Sequence, residues 1–211
     1  MAYSPVSYHH GALRQALIDA TEALLAEKGA DGFSLREVAR RAGVSAAAPS
    51  HHFGDAAGLL TAVATLGFEG LTKALAAGDA RGDDARTAMR EQGIEYVRYA
   101  MDHPGRFRLM FRSGQLHKDA ALEHHGTAAF EVLAHGVRRA FGVADAASMT
   151  PEHWNAVTAL WSLVHGYAHL AIAGKLDPLC REQGLESFVA DSLSPILAAT
   201  IAGLMPAAPV T

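Results

Sequence analysis

Apolar residues recur every three or four positions along most of this chain, which is the spacing that one buried face of an α-helix requires. The first such segment runs from Gly11 to Lys28, and Gly29 ends it. Helical spacing returns in the second half of the chain. These later segments span residues 85–102, 105–112, 120–141, 151–173 and 185–204. No strand-like alternation of useful length competes with them, so the sequence predicts an all-α fold.

Two short helices are predicted between residues 34 and 53, separated by a tight turn at Gly43. Ser34 can cap the first helix, and Glu37 can reach back to the Ser34 N–H as in a capping box. Gly43 permits the left-handed backbone that a tight turn needs, and Ser45 can cap the next helix. Two helices joined in this way form a helix-turn-helix, whose second helix enters the major groove of DNA.

The second helix of this motif is expected to span residues 46–53. Pro49 falls in its first turn, where backbone N–H groups lack intrahelical partners. Phe53 is the apolar side chain that would hold this helix on its domain. Gly54 and Asp55 would then turn the chain into a longer helix that connects the two halves of the protein.

Four short motifs follow one another in this part of the chain. They are Ala26-Glu27-Lys28-Gly29, Gly32-Phe33-Ser34-Leu35-Arg36-Glu37-Val38-Ala39, Ala42-Gly43-Val44-Ser45 and His52-Phe53-Gly54. In this order they make residues 9–71 resemble the DNA-binding domain of the TetR family of bacterial transcriptional regulators. The later stretch Trp161-Ser162-Leu163-Val164-His165-Gly166 resembles the Trp-His-Gly signature of one C-terminal subgroup of that family.

The resemblance implies an N-terminal three-helix DNA-binding domain with a helix-turn-helix, followed by a C-terminal helical domain for ligand binding and dimerisation. The small and charged residues from Gly78 to Asp84 mark the boundary between them. The expected divisions are a flexible arm at residues 1–8, the DNA-binding domain at 9–78 with its motif at 34–53, the second domain at 79–205 and a tail at 206–211.

The formal net charge of −4 describes the whole chain and does not exclude a positive DNA-binding face. Arg14, Arg36, Arg40 and Arg41 lie in the helices of the first domain and can form such a face. The alternative is that these arginines are ordinary solvated residues. The residues expected to contact DNA are Arg14, Ser34, Arg36, Ser45, Ala46, Ala47, Ser50, His51 and His52.

The chain departs from the family pattern at two positions in and after the second motif helix. Many TetR-like proteins carry a tyrosine where this chain has Ser50 and a lysine where it has Ala56. Ser50 can still donate a hydrogen bond to phosphate, whereas Ala56 offers no side-chain contact. The three alanines at 46–48 can touch thymine methyl groups but make no bidentate bond to a base, so sequence reading would depend on His51, His52 and DNA shape.

The two long segments at 151–173 and 185–204 each carry an apolar stripe. The stripes contain Trp154, Val157, Leu160, Trp161, Val164, Ala168 and Ile172 in the first segment and Phe188, Val189, Leu193, Ile196, Leu197 and Ile201 in the second. Paired between two chains, they would form a four-helix interface, since TetR-like proteins dimerise through their last two long helices. The alternative is that both stripes are buried within one subunit. Pro195 would kink or divide the last helix.

A cluster of large, soft side chains in the second domain is expected to line a pocket for a partly apolar effector. The expected ligand-binding residues are Tyr99, Met101, Phe107, Met110, Phe111, Phe130, Trp161, His165 and His169. The same side chains can also belong to the hydrophobic core. His165 and His169 share one helix face with Trp161, and the two histidines either offer polar groups to a ligand or bond to neighbouring helices.

The motifs of several other protein classes are missing from the sequence. It contains no Gly-x-Ser-x-Gly elbow, phosphate-binding glycine loop, dinucleotide fingerprint or His-Glu-x-x-His, so we expect no enzyme activity, no cofactor and no metal site despite the twelve histidines. The single cysteine, Cys180, excludes an internal disulfide. There is no run of about 18 uninterrupted apolar residues and no basic-then-apolar signal segment, so we expect no membrane association and a cytoplasmic location.

Together these features predict a homodimeric, ligand-responsive regulator that binds a pseudo-palindromic DNA operator and acts as a repressor. A small molecule in the C-terminal domain would favour a dimer whose recognition helices no longer match the operator, and DNA must weaken ligand binding by the same factor. Two alternatives stay open. The chain could be a module that kept the TetR-like fold and binds a ligand or partner while reading DNA weakly or not at all, or a histidine-dependent metal protein.

Overall fold

The computed structural model describes residues 6–180 and 183–205, and all regular structure in these ranges is helical. The predicted tail at 206–211 lies outside the described residues, as does the predicted arm up to residue 5. The α-helices of the described ranges are α1 (Val6–Lys28), α2 (Leu35–Arg41), α3 (Ala48–Phe53), α4 (Ala56–Asp79), α5 (Ala85–Asp102), α6 (Pro104–Met110), α7 (Ala120–Phe141), α8 (Pro151–Ile172), α9 (Asp177–Cys180) and α10 (Leu185–Leu204). The predicted all-α fold is confirmed.

The predicted helix bounds agree with the structure at α5, α7 and α10, and α8 ends one residue earlier than predicted. α1 begins earlier than predicted, at Val6, and α6 begins with Pro104, which needs no N–H partner in a first turn. Of the two outcomes predicted for Pro195, a kink or a division of the last helix, the division does not occur, because α10 is continuous through this residue. Pro195 is exposed, and the Asp191 carbonyl that it leaves without a helical donor can therefore bond to water.

The chain forms two compact units, and the first of them is discontinuous in sequence. The first unit comprises the residues up to Phe68 together with His103–His125, and the second comprises Glu69–Asp102 and the residues from Gly126 onwards. The predicted domain boundary at 78–79 coincides with the end of α4. The boundary between the two compact units lies earlier, inside α4, between Phe68 and Glu69. As a result, α6 and the first turn of α7 belong with the helix-turn-helix.

The first unit is built around α1, which packs against α2 and α6, with side chains of α4 in the same core. Its fully buried side chains include Leu17, Ile18, Leu24, Leu25, Val38, Leu59, Val63 and Leu109. α6 lies very close to α1 at Gly105, where a Cβ atom would be 2.7 Å from the Ala26 nitrogen and 2.8 Å from the Leu25 carbonyl carbon. Only a residue without a side chain allows this approach, which holds α6 on α1.

In the second unit α5 packs against α8 and α10, and α10 also packs against α8. Most of the two predicted stripes are therefore buried within one subunit, which is the alternative that the sequence left open. The buried members are Val157, Leu160, Val164, Ala168, Val189, Leu193, Leu197 and Ile201. The large apolar side chains of α8 and α10 that stay exposed are Trp154, Trp161, Leu170 and Ile196.

α4 and α10 are each long and apolar enough to cross a membrane when only length and composition are considered. Core helices of proteins that stay in water meet the same criterion. In α4, 44% of the most apolar window is buried within the described chain, whereas in α10 the share is 22%. A single subunit therefore leaves most of the apolar window of α10 outside its core.

Candidate DNA-binding surface and adjoining cavity

The predicted capping box of the first motif helix does not form. Ser34 is the N-cap of α2 and has an extended backbone, but no side-chain hydrogen bond caps this helix. The Glu37 carboxylate instead accepts hydrogen bonds from Arg40, at 2.7 and 2.8 Å, and from Arg41, at 3.1 Å. Hydrogen bonds between two charged groups are stronger than those to a neutral N–H, so Glu37 turns to the arginines. Arg40 and Arg41 lower the pKa of Glu37 to about 2.

The recognition helix α3 is two residues shorter than predicted. Ala46 and Ala47 form a turn ahead of it, and no side chain caps the helix. Ser45 contributes its backbone carbonyl instead of its hydroxyl, accepting the Ala48 N–H at 3.0 Å. The predicted cap at Ser45 is therefore wrong, because a local turn takes up the hydrogen bond that a cap would have supplied.

The turn and the apolar anchors of the motif are confirmed. Gly43 has a φ of +68°, the left-handed conformation expected for a tight turn, and the next N–H, of Val44, donates to the Ala39 carbonyl at 3.0 Å. Pro49 is buried in the first turn of α3, and Phe53 packs against the core of the first unit. The helix is thus held by both of its ends, and Ser50 and His51 between them are exposed.

Eight of the nine residues predicted to contact DNA are exposed, and the ninth, His52, is half-buried. All nine lie in the first unit, on or beside α1, α2 and α3. The Arg14 guanidinium carbon is 5.1 Å from the centre of the Phe53 ring, a cation–π contact that places α1 beside the end of α3. Arg36 makes no ion pair with any carboxylate in the part of the chain that the structure describes, so its charge is available to a phosphate.

Arg40 and Arg41 contribute less positive charge than predicted. Both are paired with Glu37, and Arg41 also donates to Glu27 at 2.7 Å. Arg41 holds the pKa of the Glu27 carboxyl below its usual value, so this carboxylate stays charged next to the arginine. The predicted positive face is therefore carried by Arg14 and Arg36, since the other two arginines are largely neutralised.

Residues 104–119, which we call the α6 strap, bind three separate parts of the DNA-binding helices. The contacts are an ion pair of Arg106 with Glu22 on α1, an ion pair of Arg112 with Asp31 ahead of α2 (2.7 Å), and a contact of His117 Nε2 with Asp55 Oδ1 between α3 and α4 (2.9 Å). The partners are 62 to 84 positions apart, so no local sequence pattern indicated them. The strap explains why α6 belongs to the first unit.

His117 holds the start of α4 in two ways. Its ring contacts Asp55, whose carboxylate also accepts the Gly58 N–H at 2.8 Å, and its backbone N–H donates to the Thr61 hydroxyl at 2.9 Å. The Gly58 N–H above all, and His117 next, hold the pKa of the Asp55 carboxyl below its usual value. One residue of the strap therefore fixes the turn that directly follows the recognition helix.

An open cavity of about 660 Å³ adjoins the strap within the first unit. Its lining residues are Phe68, Met110, Phe111, Leu116, His117, Lys118, Asp119, Ala120, Leu122 and Glu123. Phe68 and Phe111 meet edge to face with ring centres 5.6 Å apart. Met110 and Phe111 are among the predicted ligand-binding residues, whereas a third, Phe107, is fully buried and packs against Phe111.

The other predicted ligand-binding residues lie in the second unit, so the predicted cluster is divided between the two units. They are Tyr99, which is buried, Met101, Phe130, His165 and His169, which are half-buried, and Trp161, which is exposed. Trp161 lies edge to face with Phe130, at 5.7 Å between ring centres. Only Met110 and Phe111 of the nine line the cavity described above.

His165 is bonded to a neighbouring helix. The Tyr96 hydroxyl of α5 lies 2.8 Å from His165 Nδ1, within hydrogen-bond distance, and burial raises the pKa of Tyr96, so the hydroxyl keeps its proton. The His165 and His169 rings meet edge to face at 4.6 Å, and burial, with a smaller effect of His169, lowers the pKa of His165. For His165 this is the second of the two hypotheses given by the sequence.

Within residues 6–180 and 183–205, no group of three or more His, Cys, Asp or Glu side chains is placed to hold a metal ion. Cys180 is buried, its thiol donates to the Leu176 carbonyl at 3.2 Å, and burial raises the pKa of the thiol. A buried, protonated thiol of this kind has a structural role.

Two family models match the sequence. The model described as bacterial regulatory proteins of the tetR family matches residues 17–63, and the model described as the tetracyclin repressor-like C-terminal domain matches residues 89–191. The sequence comparison with curated proteins gave no match.

Solved structures share the fold over nearly the whole chain. A Rhodococcus sp. RHA1 protein of unknown function is 30% identical, with a TM-score of 0.75 and coverage of 95% of this chain and 100% of its own. A tetR-family bacterial regulatory protein from Rhodococcus RHA1 is 17% identical (TM-score 0.70, coverage 93% and 98%). The TetR family transcriptional regulator PfmR from Thermus thermophilus is 20% identical (TM-score 0.62, coverage 93% and 97%).

Proposed function

We propose that this chain, which belongs to the TetR family of bacterial regulatory proteins, is a repressor that leaves its DNA operator when a small molecule binds. Members of the family are ligand-responsive, DNA-binding transcription factors and in general are not enzymes. The observation that carries the proposal is the exposure of eight of the nine predicted DNA-contacting residues around a recognition helix held at both ends. Because its target is chromosomal DNA, we place the protein in the cytoplasm.

The proposed DNA contacts are of two kinds, contacts to phosphates and contacts to bases. Arg14 and Arg36 would bind phosphates, since each is exposed and positively charged. His51, exposed on α3, would face base edges, while Ala46 and Ala47 would contact thymine methyl groups. Such a surface offers few hydrogen bonds to bases, so its preference for a sequence would depend in part on DNA shape.

Dimerisation would use the exposed side chains of α8 and α10. Family members form dimers, and this chain leaves Trp154, Trp161, Leu170 and Ile196 between 38% and 47% exposed on these helices. Exposed apolar side chains of this size on neighbouring helices are typical of an interface between subunits. A two-fold dimer would present two α3 helices to the two halves of a pseudo-palindromic operator.

The decisive test is fluorescence anisotropy with DNA from both sides of the protein's own gene, measured across salt concentrations with random DNA as competitor. We expect binding that resists the competitor. Arg36→Ala should reduce the slope of log affinity against log salt by about 1.8, because the proposed dimer loses two phosphate contacts at about 0.9 each. Arg40→Ala is the matched control, one helical turn further along α2 and already paired with Glu37, and it should change the slope less.

The sign of regulation needs a separate measurement. In transcription reactions from the promoter bound in that experiment, the protein should lower transcript yield, whereas an increase would make it an activator. Binding to flanking DNA no tighter than to random DNA would overturn the proposal. The alternative would then be a partner- or ligand-binding module that kept the fold.

A further inference from the structure

We propose that the cavity of the first unit is the site of an uncharged, largely apolar effector and that His117 couples its occupancy to the recognition helix. The inference rests on the proposed function and assigns that function's regulation to one cavity and one residue. It places the effector against residues that pack with the DNA-binding helices, rather than among the aromatic residues of the second unit.

The walls of the cavity fit an apolar molecule. Six of its ten lining residues are apolar, and their edges and faces offer dispersion contacts without polar competition: Phe68, Met110, Phe111, Leu116, Ala120 and Leu122. The volume of about 660 Å³ is within the range of small-molecule sites in proteins.

The four ionisable lining residues argue against an ionic ligand. Two of the four are already engaged, because His117 contacts Asp55 and the Asp119 carboxylate accepts the N–H groups of Ala121 and Leu122 at 2.9 Å. The other two, Lys118 and Glu123, carry opposite charges. A ligand charge of either sign would meet attraction from one of them and repulsion from the other, so it would lose its hydration with little net compensation.

His117 connects this cavity to DNA reading. It lines the cavity, and the same residue contacts Asp55 through its ring and Thr61 through its backbone N–H, both at 2.9 Å. An occupant that pushes residues 116–119 outward must lengthen these contacts, and they hold the turn directly after α3. His117 is therefore a positioning residue, and filling the cavity should weaken DNA binding.

The site itself can be tested without DNA. N-phenyl-1-naphthylamine and 8-anilinonaphthalene-1-sulfonate share one aromatic skeleton, and only the second carries a charge. Fluorescence titrations of the full chain with each probe should show that the uncharged probe binds at least about ten times more tightly. Equal affinity, or tighter binding of the sulfonate, would overturn the inferred ligand class.

A matched pair of substitutions locates the probe. Ala120→Trp places a large ring in the cavity from an exposed position, whereas Ala121→Trp adds the same ring at the next exposed position, which does not line it. Ala120→Trp should abolish binding of N-phenyl-1-naphthylamine and Ala121→Trp should leave it unchanged. If both variants bind the probe like the parent chain, the site is not this cavity.

Coupling is measured as the ratio of DNA affinities without and with saturating N-phenyl-1-naphthylamine. The ratio should be about five or more in the parent chain, the lower end of ordinary allosteric coupling. His117→Ala loses the ring contact with Asp55 and keeps the backbone bond to Thr61, so the ratio should fall towards one, and His117→Gln, which restores an N–H at the same reach, should recover it. His124→Ala, an exposed histidine on α7, is the control.

The outcomes separate the two proposals. An unchanged ratio in His117→Ala overturns the coupling role, because loss of a merely structural contact would change the DNA affinity by the same factor with and without the probe. Absence of specific DNA binding in the parent chain overturns the proposed function, whereas the two probes and the tryptophan pair still decide on the cavity.

Discussion

Replacing Gly105 by alanine tests the close packing of α6 on α1. The added Cβ would lie 2.7 Å from the Ala26 nitrogen and 2.8 Å from the Leu25 carbonyl carbon, both backbone atoms that cannot rotate away. Since ordinary contacts begin at 3.4 Å, α6 must move outward by about 0.7 Å. Overpacking of this kind costs about 1–3 kcal/mol, and the gain from replacing a helical glycine offsets about 0.5–1 kcal/mol of it.

We therefore expect Gly105→Ala to lower the free energy of unfolding by up to about 2.5 kcal/mol, and by about 1–3 kcal/mol relative to Gly11→Ala, which has the same helical gain. Each kcal/mol corresponds to about 2–4 °C in Tm. Thermal and urea unfolding followed by circular dichroism measure the change. Gly11→Ala is the control, because it makes the same substitution in α1 of the same unit with no atom within 4 Å of the new Cβ. A Gly105→Ala chain that melts at or above the Gly11→Ala chain would refute the reasoning.

Three further predictions concern other parts of the molecule. Glu37 has a lowered pKa, so its stabilising effect should be complete above its ordinary pKa of 4.5 and should be lost as the pH falls towards about 2. Glu37→Gln should therefore make the free energy of unfolding depend less on pH in that window, and an unchanged acid transition would contradict this. Ile196→Glu should convert the proposed dimer to monomer in sedimentation velocity, whereas Leu179→Glu, at a more exposed apolar residue on α9, should not; a dimer that persists in Ile196→Glu would exclude this interface. Tyr96→Phe removes the hydroxyl that bonds His165 and Trp161 and should cost about 0.5–1.5 kcal/mol in urea unfolding, and an unchanged midpoint would show that these bonds contribute nothing.

The elements of this fold were predictable because their apolar faces repeat at helical spacing over three turns or more. α5, α7 and α10 have the predicted bounds for this reason. Short elements depend on single hydrogen bonds, and there the predictions failed. Glu37 had both the Ser34 N–H and two arginines within local reach, and the charged donors prevailed. Ser45 offers two oxygen acceptors to the N–H groups that follow it, its hydroxyl and its carbonyl, and the carbonyl accepts the Ala48 N–H.

The candidate site was predictable only where its residues are close in sequence. The DNA-contacting set lies in one stretch of helices, with Arg14 added from α1, and its exposure follows from the burial of the intervening apolar positions. The strap could not be predicted, because its three contacts join residues more than 60 positions apart. The sequence does not distinguish the positions of Phe107 and Phe111, although Phe107 belongs to the hydrophobic core and Phe111 lines the cavity.

The discontinuity of the first unit limits how this regulator can be recombined. A single crossover near residue 79, where helix α4 ends, would join the DNA-binding helices of one parent to the strap of another. Glu22, Asp31 and Asp55 would then face strap residues with which they had not evolved. A chimera meant to keep both DNA reading and its control should therefore exchange residues 103–125 together with the N-terminal helices, as two inserts from the same parent.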